Sequence, residues 1–165
     1  MRAIICTAIL TCTAPAAAEV VNAKPDHYAL QQEGVSPLAP DALWARLINP
    51  ASWWHPDHTY SGDSANLSLN AKAGGVWRED WDGGSVFHGE VLMAQKGKTL
   101  RLDAPFGPLQ EMGVSVVWTI KLAPDEETGG TKVIFNEIAN GTAASKLDEL
   151  APAVDFVKTE AMARL

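Results

Sequence analysis

Apolar and polar positions alternate with a period of two through most of this chain and repeat every three or four residues in two places. The cleanest alternation covers residues 114–123, where Val114, Val116, Trp118, Ile120 and Leu122 share one face and mostly polar residues the other. Such a strand turns its apolar face to the core. Shorter runs follow the same rule. Leu67 and Leu69 alternate with Ser68 and Asn70. Trp77, Glu79 and Trp81 share a face of 76–81, and Leu100 and Leu102 a face of 99–104. Over 86–94, Phe87, Val91 and Met93 fall on one side and Val86, His88, Glu90 and Leu92 on the other. A last strand is expected at 132–138. Asp82-Gly83-Gly84 and Lys96-Gly97-Lys98 are turn signals between neighbours. Earlier, 27–35 sets Tyr28, Leu30 and Gln32 against Ala29, Gln31 and Glu33, and 19–26 reads as a leader strand or an ordered tail.

The helical period appears first after Ser36-Pro37-Leu38-Ala39. Pro40 suits a first helical position, Asp41 adds a first-turn carboxylate, and Leu43, Trp44, Leu47 and Ile48 share a face that Asn49-Pro50 ends. It returns at the C-terminus, where Pro152 is placed to begin a helix of about 14 residues with Val154, Val157, Ala161 and Arg164 or Leu165 on one stripe. Hairpin-spaced strands predict a meandering antiparallel sheet, and a half-apolar sheet must be covered. The terminal helix is the long element left to cover it, so the expected class is α+β.

The N-terminus changes the picture of where this domain works. Met1-Arg2, an apolar stretch from Ala3 to Ala14, and Ala16-Ala17-Ala18 before Glu19 have the layout of a secretory signal peptide, too short to span a bilayer. Cleavage is expected after Ala18. That leaves 19–165 as a single domain in the periplasm or outside the cell. Both cysteines, Cys6 and Cys12, lie in the removed segment, so the mature domain must be held by its core and has no thiol nucleophile or thiolate metal site. Loss of Arg2 takes the formal charge from −7 to −8. That balance argues against nucleic acid and anionic lipid as partners, and no stable membrane anchor is expected.

Chemistry concentrates in Trp53-Trp54-His55-Pro56-Asp57-His58-Thr59-Tyr60-Ser61-Gly62-Asp63. Pro56 and Gly62 keep this stretch from being one helix, and its indoles can bury area while the His, Asp and Tyr heads orient a ligand or move a proton. The acid–base candidates are His55, His58 with Asp57 or Asp63 beside it, and Glu79, a carboxyl between two indoles. Candidate ligand-lining residues are Trp53, Trp54, His55, His58, Tyr60, Trp77, Glu79, His88 and Trp118. His55, Asp57, His58 and His88 are also donor types that zinc accepts, but the His-Pro-Asp-His spacing sets no ligand geometry, so no metal and no cofactor are expected. Phosphate-loop, dinucleotide and nucleophile-elbow fingerprints are absent from the sequence.

The order of elements, with Pro40-Asp41-Ala42-Leu43-Trp44, the Trp53 to Gly62 stretch, Gly74-Gly75-Val76-Trp77-Arg78-Glu79 and Gly107-Pro108-Leu109, resembles the START-like (SRPBCC) superfamily, in the bacterial branch related to polyketide cyclases and the heat-shock ATPase activator domain. The resemblance covers 27–165. It implies a helix-grip fold: a curved antiparallel sheet wrapped around a C-terminal helix, with short helices between the first two strands. It further implies a cavity between sheet and helix for a hydrophobic small molecule, used in some members for catalysis. An export signal disfavours a cochaperone role. The expected function is binding of a hydrophobic or aromatic small molecule, with an acid–base enzyme of the cyclase, dehydratase or hydrolase kind as the alternative.

Overall fold

The alternating segments pair into one antiparallel sheet. The computed structural model describes residues 17–165, so the proposed leader, but for Ala17 and Ala18, lies outside the described residues. The strands are β1 (Ala17–Lys24), β2 (His27–Ser36), β3 (Leu67–Leu69), β4 (Val76–Trp81), β5 (Gly84–Gln95), β6 (Thr99–Asp103), β7 (Ser115–Pro124) and β8 (Thr131–Asn140). Their order in the sheet is β1-β2-β8-β7-β6-β5-β4-β3, so β2 crosses to pair with the last strand while β3 to β8 form a meander. The helices are α1 (Pro40–Leu47), α2 (Pro108–Glu111) and α3 (Leu147–Ala163), with single 3₁₀ turns at Pro50–Ser52, Pro56–His58, Ser64–Asn66 and Ala143–Ser145. The sheet curves around α3 in the α+β helix-grip arrangement. Because 17–24 is itself a strand, α1 and the turns after it fall between the second and third strands.

Two buried clusters hold α3 at its two ends. Leu147 and Ala151 pack with Tyr28, Leu30, Leu109, Val114, Val116 and Ala139, and Ala161 and Met162 pack with Trp118, Ile120, Leu122, Val133 and Phe135. Gly34 lets Met162 come close, since a Cβ there would stand 2.9 Å from its Sδ. The Gln32 amide, buried on β2, donates to the Asp155 carbonyl at 2.8 Å, and Arg46 of α1 donates to the Arg164 carbonyl. The middle of α3 is left spanning the sheet between its anchored ends.

Two expectations need correcting, and one element was not foreseen. The terminal helix begins at Leu147, not Pro152, and runs through the proline. A proline inside a helix forfeits a backbone bond at a cost of about 3 kcal/mol, and complete burial of Leu147 and Ala151 offsets a comparable amount. The Gly107-Pro108-Leu109 motif opens the short helix α2, which periodicity did not reveal. On β5 the expected faces are wrong: His88 and Val91 are both buried, whereas Phe87 is exposed. The cause is a β-bulge. Trp77 pairs with Gly89 and Arg78 with Phe87, which leaves His88 as the extra residue and reverses the alternation at that point. Gly89 permits the close approach of β6, because a Cβ there would lie 2.4 Å from the Asp103 carbonyl oxygen. By contrast Tyr28, Leu30 and Gln32 on β2, Leu43, Trp44 and Leu47 on α1 and the whole apolar set of β7 are buried as their periodicities require.

Candidate functional site

A cavity of about 450 Å³ opens under the middle of α3. Its first wall is the aromatic loop. Prolines start the two 3₁₀ turns of that loop, and each indole N–H is fixed locally: Trp53 Nε1 donates to the Leu47 carbonyl at 3.1 Å and Trp54 Nε1 to the His58 carbonyl at 3.0 Å. Trp54, His58, Thr59 and Tyr60 thereby face the cavity. The second wall is His88 on the β5 bulge with the segment after β6, from Ala104 through Phe106 to Leu109 and Glu111. The third is the face of α3 formed by Leu150, Ala153, Val154, Val157 and Lys158, with Glu137 of β8 beside Lys158.

Glu79 fastens the loop to the sheet. Its carboxylate, fully buried on β4, accepts from Tyr60 N–H at 3.1 Å and Ser61 N–H at 2.5 Å, and the His88 Nε2 lies 3.0 Å away. Burial alone would raise the Glu79 carboxyl, but these donors outweigh it and hold the group below its ordinary value. Burial lowers the His88 imidazole, and attraction to Glu79 only partly offsets that. The pair is therefore a carboxylate and a neutral ring that donates through Nε2. His88 Nδ1 is left as an acceptor, buried and without a hydrogen-bond partner among the described residues. Phe106 stacks on this ring at 5.4 Å between centroids, and Tyr60, itself 55 % exposed, tilts against it from the rim at 5.9 Å.

A second buried pair stands between α3 and β8. Lys158 Nζ is 2.9 Å from Glu137 Oε2, and both side chains are almost wholly buried. Neither atom is aligned for a hydrogen bond. Tyr28 donates from its hydroxyl to Glu137 Oε1 at 2.6 Å, and burial, reinforced by that carboxylate, pushes the Tyr28 hydroxyl far up so that it stays protonated. The Lys158 amine lies 3.2 Å above the Trp118 ring centroid and 4.8 Å from that of Phe106, an aromatic box that favours a cation. Burial lowers the Lys158 amine and Glu137 offsets part of that.

The residues singled out in the sequence separate into layers. Trp54, His58, Tyr60 and His88 line the cavity. Trp53, Trp77 and Trp118 do not; they form the aromatic core behind Trp54 and Phe106, with ring centroids 5.1 to 6.3 Å apart. Glu79 sits behind His88 and Tyr60. His55 is also off the cavity, its Nδ1 accepting from the Asp57 N–H at 3.1 Å to cap the 3₁₀ turn. His58 Nε2 is 2.7 Å from the Glu160 carboxylate, and that contact holds Glu160 below its ordinary value. Among the described residues no group of three or more His, Cys, Asp or Glu is placed to hold a metal ion. Reading the sequence missed Phe106, Glu137, Lys158 and Glu160. A signal for two of them was present: Glu137 stands in the inward register Val133, Phe135, Glu137, Ala139, and Lys158 is four residues after Val154 on the apolar stripe. An ionisable residue in a core register is a question that only a partner answers.

No family model matches the chain, and no curated protein matches it in sequence. Solved structures do. A protein from Rhodobacter sphaeroides superposes with a TM-score of 0.59 at 18% identity, covering 90% of this chain and 95% of that one. CalU16 from Micromonospora echinospora gives a TM-score of 0.52 at 13% identity over 88% of this chain and 81% of its own. Ara h 8.0201 gives 0.52 at 16% identity over 83% of this chain and 97% of its own. Likeness at these identities speaks for the backbone, and the backbone is that of the helix-grip fold.

Proposed function

We propose that this chain is an exported START-like protein that holds an apolar or aromatic small molecule under α3. The observation that carries the reading is the cavity itself: about 450 Å³, walled by Trp54, Phe106, Leu150, Val154 and Val157, with a few polar groups at fixed positions. Export is supported by the charge and hydrophobicity pattern of the first 18 residues, and the acidic balance speaks against nucleic acid. No helix among the described residues is long and apolar enough to cross a membrane. Native mass spectrometry of protein isolated from the periplasm, followed by extraction of the bound compound, should yield a small hydrophobic molecule in equimolar amount. A protein that is cytosolic, or that is empty and whose tryptophan fluorescence ignores a broad panel of hydrophobic compounds, refutes it.

The Glu79–His88 pair favours a second reading, acid–base catalysis in the same cavity. In that reading Glu79 is a positioning residue that fixes the Nε2–H tautomer, and His88 Nδ1 takes a proton from the substrate. The base is then His88, with His55 outside the cavity. Once a substrate is known, His88→Gln should lower kcat by about 10²–10⁴-fold if His88 is the base, and leave turnover nearly unchanged otherwise.

A further inference from the structure

The aromatic loop and α3 face each other across the cavity, and among the described residues one hydrogen bond joins them. His58, which lines the cavity, brings its Nε2 to 2.7 Å from the Glu160 carboxylate. Phe156, one helical turn before Glu160 and 58 % exposed, stands nearly perpendicular to the same imidazole at 6.4 Å between centroids. The neighbouring fastenings are of another kind. Apolar clusters bury both ends of α3, and the loop is tied to β4 through the fully buried Glu79. The His58 and Glu160 side chains are instead 23 % and 34 % exposed. A contact so open to water adds little to global stability and gives way in local openings first. Because it bridges two walls of the cavity, its breaking frees one wall from the other.

We propose that His58 and Glu160 form a proton-operated latch on the cavity: the protonated imidazole ties the aromatic loop to α3 and slows exchange of the bound compound, and the neutral imidazole lets loop and helix part. This rests on the binding reading above and adds its regulation. Imidazole is the side chain that changes charge between about pH 5 and 8, so its attraction to a carboxylate comes and goes in that range. The surrounding charges allow this. On α3, Glu160 favours the imidazolium and Arg164 acts on Glu160, while Lys158 is turned inward to Glu137. On the loop, the His55 ring lies 5.4 Å from that of His58 and has Asp57 3.8 Å from its Nδ1. From α1, Arg46 is engaged by the Ser52 and Arg164 carbonyls. The hydrogen bond to His58 holds the Glu160 carboxyl below its ordinary value, and His55 and Arg164 act in the same direction. Glu160 therefore stays charged over the range in which an imidazole changes.

The test uses phenylnaphthylamine, an uncharged dye that fluoresces in apolar surroundings, with the full mature protein in a stopped-flow instrument. Association and dissociation rates are compared at about pH 5.5 and about pH 8, at low and at high ionic strength. Both rates should rise together by about threefold or more at the higher pH, leaving Kd nearly constant, because a latch changes passage and not the contacts inside. High salt should shrink the difference. His58→Gln and Glu160→Gln should each exchange the dye at the same rate at both pH values, whereas His55→Gln should keep the dependence. Circular dichroism shows that each variant is folded. Rates that ignore pH, or a dependence that survives in His58→Gln or Glu160→Gln, overturn the latch and leave the cavity as a binding site. A change confined to dissociation also overturns it, since His58 would then be touching the bound dye. A folded protein that takes up no dye at either pH removes the binding reading, and the latch with it.

Discussion

The two buried carboxylate–base pairs, Glu79 with His88 and Glu137 with Lys158, use similar ingredients to different ends. Glu79 is surrounded by donors from Tyr60, Ser61 and His88, and it works as a rivet between the aromatic loop and β4. Glu137 receives one hydroxyl, from Tyr28, and faces an ammonium held by charge and by the faces of Trp118 and Phe106. Hydrogen bonds close the first pair on the Nε2 side and leave the buried His88 Nδ1 without a partner among the described residues; the second leaves the Lys158 amine without an aligned hydrogen bond among them. The difference lies in how each carboxylate is satisfied: the first by a full set of hydrogen-bond donors, the second by one hydroxyl and an opposite charge. A group with a full set of partners is committed to the fold, and one held by charge alone is less so.

The largest expected effect breaks the second pair. Lys158→Met leaves Glu137 buried and unpaired and should cost about 3–5 kcal/mol in urea unfolding, whereas adding Glu137→Gln should restore most of that loss. If the double variant is as unstable as the single one, the charge pair holds α3 to β8 by geometry, not by mutual neutralisation. Next comes Glu79→Ala, which strands two loop amides and should cost about 3 kcal/mol. Amide exchange at Tyr60 and Ser61 should accelerate first, while exchange in β7 changes only with global stability.

Acid sharpens the same contrast. An imidazole held below its ordinary value of 6.5 binds fewer protons folded than unfolded, so stability declines as pH falls below about 6.5 and goes on falling until the folded imidazole itself protonates. A carboxylate held below 4.5 contributes stability above that value, lost as pH falls through its folded pKa. His88→Phe should flatten the upper stage of the acid profile and keep the lower one. The smallest effect is expected at His58→Gln: the contact to Glu160 is partly exposed, so the unfolding midpoint should shift slightly at low ionic strength and not at high salt. A large shift in salt would place His58 among the committed groups.

Much of this contrast was invisible in one dimension for identifiable reasons. The His88 side of the cavity was readable as a strand beside β4, joined by Asp82-Gly83-Gly84, but which way the imidazole pointed depended on a bulge that adds one residue to one strand. Periodicity assumes an unbroken pleat, so it put His88 opposite Val91, and the pairing with Trp77 and Arg78 put both inward. His55 and His58 are three residues apart in one loop. A cap to Asp57 turns one of them away and a carboxylate seventeen-residue-helix-bound at Glu160 meets the other.

By itself the sequence determined what depends on local chemistry and on a constant period: the strands with their buried faces on β2, β6 and β7, the proline-started α1, the loop packed with tryptophan, and an α+β sheet that needs a helix to cover it. Hydrophobic burial enforces these because a shift of one residue would expose an entire face. Tertiary structure decided where α3 begins, which imidazole reaches the cavity, and that Glu137 and Lys158 meet. Each of those is settled by groups distant in the chain, whose desolvation is tolerable only when the partner arrives, and a partner's arrival is a property of the fold.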